Sequence, residues 1–519
     1  MLKSSGGVGA ATLTSRVLGL VRELIYARFM GTTATASAFF YAFMIPNLFR
    51  RLLGEGALTA AFIPLFKARE KNDGPEEMWR SANAVISALL VMASAITLLV
   101  ILGVTVLLSV KAWKPETQLM FELLRIMFPY MILACLAAVF IGILNARGHF
   151  FIPSLGTAIL NVALIGSVFL LAPHFGRKLE TQVFGLAAGV LVAGVAQAFF
   201  QLPVLRKEGF KYRWVAPWRD QTVREVVQKM IPSAIGVAAF QLNVVTTQSL
   251  AFGENSHIVS EFNYAVRLME LPQGVFGLSL ATFLLPTLSS LAIDKNYAQF
   301  RATLRQATGY LIFINLLASA LLFTLAEPII RLLFERGKFD AVSTAHASAG
   351  LVALAPGLVS FSLVNIFARA FYAVNDIKTP MKVSIFCLAL NLVLTAYFLI
   401  GLGMGPGALG LANTATSFCN LGLLAFGLRK KLKTLEMRPC LEHLPALIGA
   451  AVAAGMAAWT TRLFWQAHYG HANFAARAGE VFIPMILASA LYLLLNVWLK
   501  VPSAREILAF VRRRQAKIA

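Results

Sequence analysis

Residues 15–31 read SRVLGLVRELIYARFMG and residues 39–56 read FFYAFMIPNLFRRLLGEG, and these two stretches decide the fold. Each lies in an apolar run of the ~20 residues that a helix needs to cross a bilayer. Yet between them they carry Arg16, Arg22, Arg28, Arg50 and Arg51. A cation at the centre of a spanning helix costs roughly 2.5–3.5 kcal/mol even on the insertion scale. Several in one helix pair must face water or an anion. The pair therefore reads as the wall of a polar cavity built to hold a negatively charged group.

The whole chain supports a membrane setting. Its 519 residues are 58% hydrophobic and only 13% charged, with a mean hydropathy of +0.73. A soluble protein of this length needs far more polar surface, so the fold class is an all-α polytopic membrane protein. The net charge of +22 resembles a nucleic-acid footprint until the basic residues are located. Most lie in short clusters between apolar runs, as expected of loops held on the cytoplasmic side, and no nucleic-acid partner is expected. Cys135, Cys387, Cys419 and Cys440 are far apart with no CxxC spacing, which indicates neither a disulfide framework nor a zinc site. The N-terminus lacks a compact apolar core with a small-residue cleavage site, so it is expected to be retained as the first helix.

Apolar runs fall at about 8–30, 36–66, 81–110, 119–145, 152–173, 183–205, 225–252, 258–292, 305–326, 343–373, 380–401, 407–428, 442–464 and 478–500, which predicts 14 transmembrane helices. The second, eighth and tenth are too long for one straight span; Pro46, Pro272 and Pro356 are the expected breaks. Links after even-numbered helices are basic: Lys67, Arg69, Lys71 and Arg80; Arg206, Lys207, Lys211, Arg213 and Arg219; Arg429, Lys430, Lys431 and Lys433. The tail adds Arg512, Arg513, Arg514 and Lys517. Both termini are therefore expected in the cytoplasm.

The chain also repeats itself. Tyr41-Ala42, Pro46 and Pro64 are echoed by Tyr264-Ala265, Pro272 and Pro286; Pro129 by Pro356; Pro153 by Pro380; GLA at 185–187 by GLA at 410–412; Leu205-Arg206-Lys207 by Leu428-Arg429-Lys430. All pairs are offset by 222–227 residues in the same order. Six helices fill the period, so the copies share one orientation, and such parallel repeats place a site near the midplane between the halves. The expected divisions are an N-terminal lobe at 1–210 (helices 1–6), a C-terminal lobe at 211–435 (helices 7–12), and helices 13–14 with a basic tail at 436–519.

In the second lobe, YAVRLMELPQG sets Arg267 and Glu270 three residues apart, on one helical face. Arg51 and Glu55 are i,i+4 and form a candidate ion pair or gate, which leaves Arg50 for a ligand. Arg16 and Arg22 diverge by roughly 120° on an ideal helix, so convergence needs a bend at Gly19 or long side chains reaching around. Arginine fits phosphate in a bidentate way, whereas lysine acts as a point charge. Against this, Arg28 and Arg125 near helix ends read better as snorkelling cations. His468 and His471 read as loop polarity, and Asp376 as the cap of a cytoplasmic turn. Gln241, Asn243 and Gln248 in the seventh run read as interhelical hydrogen-bonding groups. No Walker loop occurs, and no cluster of carboxylates or histidines at membrane depth suits a transferase or protease. The expectation is a carrier with no metal and no cofactor, not an enzyme.

SRVLGLVRELIYARFMG, IPNLFRRLLGEGALTAAFIP, YAVRLMELPQGVFGLSLATFLLP and NDIKTP together resemble the MurJ (MviN) family of bacterial lipid II flippases. That family sits within the multidrug/oligosaccharidyl-lipid/polysaccharide exporter superfamily. The resemblance covers nearly the whole chain. It implies two six-helix lobes around a cationic cavity, with the last two helices forming a groove for a polyprenyl tail. Matched motif by motif, the family's functional arginines fall on Arg16, Arg22, Arg50 and Arg267, with Glu270 beside the last. The pattern departs at Ser37 and Val266, where members carry an acid, and Glu55 and Glu270 are the substitutes. The implied cargo is undecaprenyl-diphosphate-linked disaccharide-pentapeptide, moved from the inner to the outer leaflet of the bacterial inner membrane by alternating access. Coupling to the membrane potential or a monovalent ion, and contact with membrane lipids and other cell-wall synthesis proteins, are further expectations. A related exporter of another polyprenyl-linked glycan is the alternative, as is a drug/ion antiporter, which would need acids in its cavity.

Overall fold

The structure is a computed structural model that describes residues 2–54 and 57–506, and among these it contains helices and turns but no strand. Glu55 and the basic tail residues Arg512, Arg513, Arg514 and Lys517 lie outside the described residues. Contacts divide the chain into two compact units, 1–252 and 253–519.

In the first unit, α1 (Leu2–Met30) runs through Gly19 without a break. α2 (Ala34–Phe49) starts at Thr33, whose side chain accepts from the Ala36 amide at 3.2 Å, and passes into a π-helical turn at Arg50–Gly54. α3 (Ala57–Val110) is two helices run together, broken at Gly74 with φ 88° and restarted by Pro75. Glycine adopts that φ without a Cβ clash, and proline suits the first turn of the helix that follows. The break sits in the basic link between the second and third apolar runs. α4 (Pro115–Met127) and α5 (Tyr130–Ala146) form one span bent by 44° beside Pro129. α6 (Phe151–Leu170), α7 (Leu179–Phe199), the short α8 (Leu202–Lys207) and α9 (Gln221–Glu254) follow. α1 packs along α6 and α6 along α7, while α5 holds α3 and α7 together.

The second unit holds α10 (Ile258–Pro272), a π-helical turn at Gln273–Leu278, α11 (Ser279–Ile293) and α12 (Tyr297–Thr324). α13 (Ala326–Phe334) is a short amphipathic link. α14 (Ala341–Leu354) and α15 (Leu358–Ala373) meet at a 3-10 turn around Pro356, and α16 (Lys378–Ala396) and α17 (Pro406–Leu432) follow. α18 (Arg438–Tyr469) and α19 (Phe474–Trp498) form a hairpin packed on α12 and α13. Among the described residues nine helices are long and apolar enough to span a membrane, or ten with the bent α4–α5 pair. The expected run at 36–66 is interrupted by the first π turn and that at 258–292 by the second, each just after the proline expected to break it.

The repeat is visible in these devices. Both units carry a proline followed by a π turn, and the matching Pro129 and Pro356 both stand at helix junctions. The GLA glycines are close-approach points in both: a Cβ on Gly185 would meet the Ala172 Cα at 2.6 Å, and one on Gly410 the Ala353 Cβ at 2.6 Å. A polar brace recurs as well. In the first unit His149 Nε2 lies 2.8 Å from Glu208 Oε1, and Arg147 Nε donates to Glu208 Oε2 at 2.7 Å. At the matching positions of the second, Lys431 Nζ donates to Asp376 Oδ2 at 2.8 Å. The charges are exchanged while the contact is kept. His149 and Arg147 hold the Glu208 carboxyl below its ordinary range. Partial burial raises the Asp376 carboxyl, but the bonds from Lys431 and Thr379 outweigh it and hold the group at about 2.

A carboxyl held low stabilises the fold fully above its ordinary pKa, and the benefit disappears as pH falls through the lowered value. For Asp376 that window runs from 3.8 down to about 2. Lys431→Met should lower the thermal midpoint at neutral pH by the equivalent of about 1 kcal/mol or less. The difference from the parent should shrink on acidification to about pH 2.5. An equal difference at both pH values would show that the contact is not ionic.

Candidate functional site

The sequence places the candidate cations in two groups, and each unit organises its own. In the first, Arg16 is exposed on α1, while the Arg22 side chain keeps 14% of its exposure. Arg22 Nη1 donates to Asn161 Oδ1 on α6 at 3.0 Å, and Nη2 donates to the Glu23 carboxylate. Asn161 is 3% exposed and its Nδ2 also donates to the Ser15 carbonyl at 3.2 Å. One amide thus ties α1 to α6 at two levels and holds the guanidinium in place. Arg22 Nε is buried and has no hydrogen-bond partner among the described residues. The guanidinium carbon lies 5.9 Å from the Tyr26 ring centroid.

Arg50 sits at the start of the π turn, where its Nε donates to Asn47 Oδ1 at 3.1 Å; Asn47 Nδ2 in turn donates to the Phe43 carbonyl at 3.2 Å. Arg51 lies in the same π-helical turn, and Glu55, its expected i,i+4 partner, lies outside the described residues. Arg51 is exposed. π-turns inside helices are frequent at functional sites. In the second unit, Arg267 Nη1 donates to Glu270 Oε2 at 2.9 Å, as the spacing on α10 predicts. That pair is wet: the two side chains are 41% and 48% exposed.

Arg28 and Arg125 are exposed near helix ends, as expected of snorkelling cations. Asp376 accepts from the Thr379 amide and hydroxyl, the turn-shaping role expected of it. His468 Nδ1 lies 2.8 Å from the Phe464 carbonyl, a local contact. Gln241 is buried on α9.

Two residues at the first site escape sequence reasoning. Glu23 follows Arg22 directly, and neighbours on a helix do not normally face each other, so spacing gives no hint of their pairing. Asn161 leaves a weak trace as the polar residue in an otherwise apolar run, TAILNVALIG. A larger ionic cluster escapes apart from its two i,i+4 contacts, Glu327–Arg331 and Arg331–Glu335. Arg331 on α13 donates to Glu327, lies 3.2 Å from Glu480 Oε1 and 3.7 Å from Glu335 Oε2. Arg462 reaches Glu327 and Glu480, and Arg477 lies 3.2 Å from Glu335. These residues are spread over 154 positions of sequence and fasten the α18–α19 hairpin to α13.

A family model described as Lipid II flippase MurJ matches residues 26–478. The chain belongs to this family. It is 34% identical over 480 residues to a probable lipid II flippase MurJ of Vibrio cholerae, covering 90% of this chain and 89% of that protein. It is also 34% identical over 466 residues to lipid II flippase MurJ of Burkholderia cenocepacia, covering 87% and 88%. A solved MurJ structure in an inward closed conformation superposes with a TM-score of 0.78 at 23% identity, over 95% of this chain and 98% of that one. An inward-facing multidrug transporter of the MATE family follows with a TM-score of 0.66 at 18% identity, over 81% and 95%. At such identities the two structures speak to the fold, and they put the MurJ family chain in the same architecture as the MATE transporters.

Asn161→Ala would leave the Arg22 guanidinium short of an acceptor and the Ser15 carbonyl short of a donor. A hydrogen bond to a charged group is worth about 1.5–3 kcal/mol. The thermal midpoint of the purified protein should therefore fall clearly, while Val162→Ala, at an exposed neighbour on the same helix, should leave it nearly unchanged. Equal small effects would mean that Asn161 does not anchor the arginine.

Proposed function

We propose that this protein carries lipid II, undecaprenyl-diphosphate-linked disaccharide-pentapeptide, from the inner to the outer leaflet of the bacterial cytoplasmic membrane by alternating access. Family membership along nearly the whole chain supports the cargo. The observation that carries the site is Arg22: a guanidinium fixed by Glu23 and Asn161, with its Nε left without a hydrogen bond among the described residues. Oriented, dry and incompletely satisfied donors suit a diphosphate, which offers several anionic oxygens and accepts bidentate bonds. Arg16, Arg50 and Arg267 complete the proposed cradle. Glu270 competes for Arg267 and would release it when the diphosphate arrives. Arg51 and Glu55 are the proposed gate pair.

The moving parts in this reading are the repeat-defined lobes, 1–210 and 211–435, with residues 436–519 as the tail-handling hairpin and basic C-terminus. The basic links support a reading with both termini in the cytoplasm. Substrate binding by arginine and release need no bond to be made or broken, so the proposed activity is transport rather than catalysis. Cationic groups that change sides feel the membrane potential, worth about 2.3 kcal/mol per charge per 100 mV, which makes it a candidate drive beside a monovalent ion.

The test is a leaflet-accessibility assay in cells depleted of their own flippase and complemented with this chain. The parent should restore outward movement of lipid-linked disaccharide. Arg22→Ala and Arg267→Ala, each present in the membrane at parental levels, should reduce it by roughly tenfold or more, the loss expected when one charge-assisted contact disappears. Unchanged movement in both variants would reject the site, and no rescue by the parent would reject the cargo.

A further inference from the structure

The first unit also holds a cavity that none of the arginines of α1 and α2 lines. There α3, α5 and the end of α7 leave a cavity of about 580 Å³ whose walls include Ile86, Leu90, Leu136, Phe140 and Phe199. Arg206, Lys211 and Tyr212, all exposed, complete the lining. The cavity is thus apolar along the helices and cationic where the chain leaves the end of α8.

The rim is an ordered strap. Asn83 Nδ2 on α3 donates to the Lys211 carbonyl at 2.9 Å, Ser87 Oγ lies 3.2 Å from the Tyr212 hydroxyl, and the Val215 amide donates to Ser87 Oγ at 3.5 Å. Phe210 is buried against Trp79 and Phe140, with ring centroids 5.6 and 5.7 Å apart. Beyond it Trp214 and Trp218 stand 56% and 71% exposed, beside exposed Arg213 and Arg219. Glu208, the acid in this strap, is already engaged by Arg147 and His149. Its cations are therefore not neutralised locally.

Exposed tryptophans next to lysine and arginine at the end of spanning helices are the signature of a segment lying at the membrane–water interface. A basic pocket between such helices suits an acidic lipid headgroup. A soluble anion would leave the apolar wall unused, and a neutral lipid would leave two cations unused. We propose that this cavity holds one anionic glycerophospholipid of the adjoining leaflet. An acyl chain would run along Ile86, Leu90, Leu136 and Phe199, and the headgroup phosphate would lie between Arg206 and Lys211. The site does not depend on which cargo the arginines of α1 bind.

The probe is phosphatidylglycerol titrated onto the purified full chain and read by native mass spectrometry, with phosphatidylcholine as the neutral control. One phosphatidylglycerol should be retained in preference to phosphatidylcholine. Arg206→Gln with Lys211→Gln, both at exposed positions, should weaken that retention roughly 25-fold, about fivefold per charge. Leu90→Trp, which fills the wall and keeps the charges, should weaken it as well. Equal retention of the two lipids, or retention unchanged in both variants, overturns the proposal. So does displacement of phosphatidylglycerol from this site by an equal amount of undecaprenyl diphosphate, which would make it a cargo station.

Discussion

A guanidinium placed in an apolar helix has to be satisfied, and the way each arginine is satisfied separates structure from function. Arg331 is met by three carboxylates, Glu327, Glu335 and Glu480, and its side chain keeps only 9% of its exposure. Such a group is fully occupied, and removing one partner of a buried pair is strongly destabilising. It fastens the α18–α19 hairpin. Arg22 is met by one carboxylate and one amide, with its Nε left without a partner among the described residues. Arg267 shares a wet pair with Glu270. Those two arrangements hold a cation in position and leave it able to exchange partners, which a binding site for a phosphate requires.

The two copies of the repeat reuse the same backbone solutions with different side chains. Each follows a proline with a π turn, and each brings a GLA glycine against a neighbour. The brace between the link ahead of the fifth or eleventh run and the end of the sixth or twelfth is kept while its charges are exchanged, His149–Glu208 in one unit and Asp376–Lys431 in the other. What the fold needs at that point is an attraction, not a particular residue. The candidate arginines lack this symmetry: Arg22 and Arg50 have no arginine counterparts at the repeat offset.

Much of this was legible in the sequence, because apolar runs and prolines act locally. The runs became helices, Pro46 and Pro272 preceded the π turns, Pro356 stands in a 3-10 turn between two helices, and Arg267 met Glu270 at the spacing that a helix dictates. The site was legible only in part. The partner drawn for Arg51, Glu55, lies outside the described residues. Gly19 was a candidate bend, but α1 is continuous and Asn161 reaches across from α6 instead. Glu23 was hidden because adjacent residues on a helix rarely pair. In the Arg331 cluster only Glu327 and Glu335 stand at i,i+4 from the arginine; Glu480, Arg462 and Arg477 lie too far along the chain for spacing to connect.

The central claim is that Arg22 and its neighbours grip a diphosphate. The direct measurement is the affinity of the purified protein for undecaprenyl diphosphate against undecaprenyl monophosphate, in the parent and in Arg22→Gln. The account predicts a preference for the diphosphate of roughly tenfold or more in the parent, the scale of one added charge-assisted contact, and its loss in the variant. Equal affinity for the two lipids, or a preference that survives Arg22→Gln intact, would contradict it.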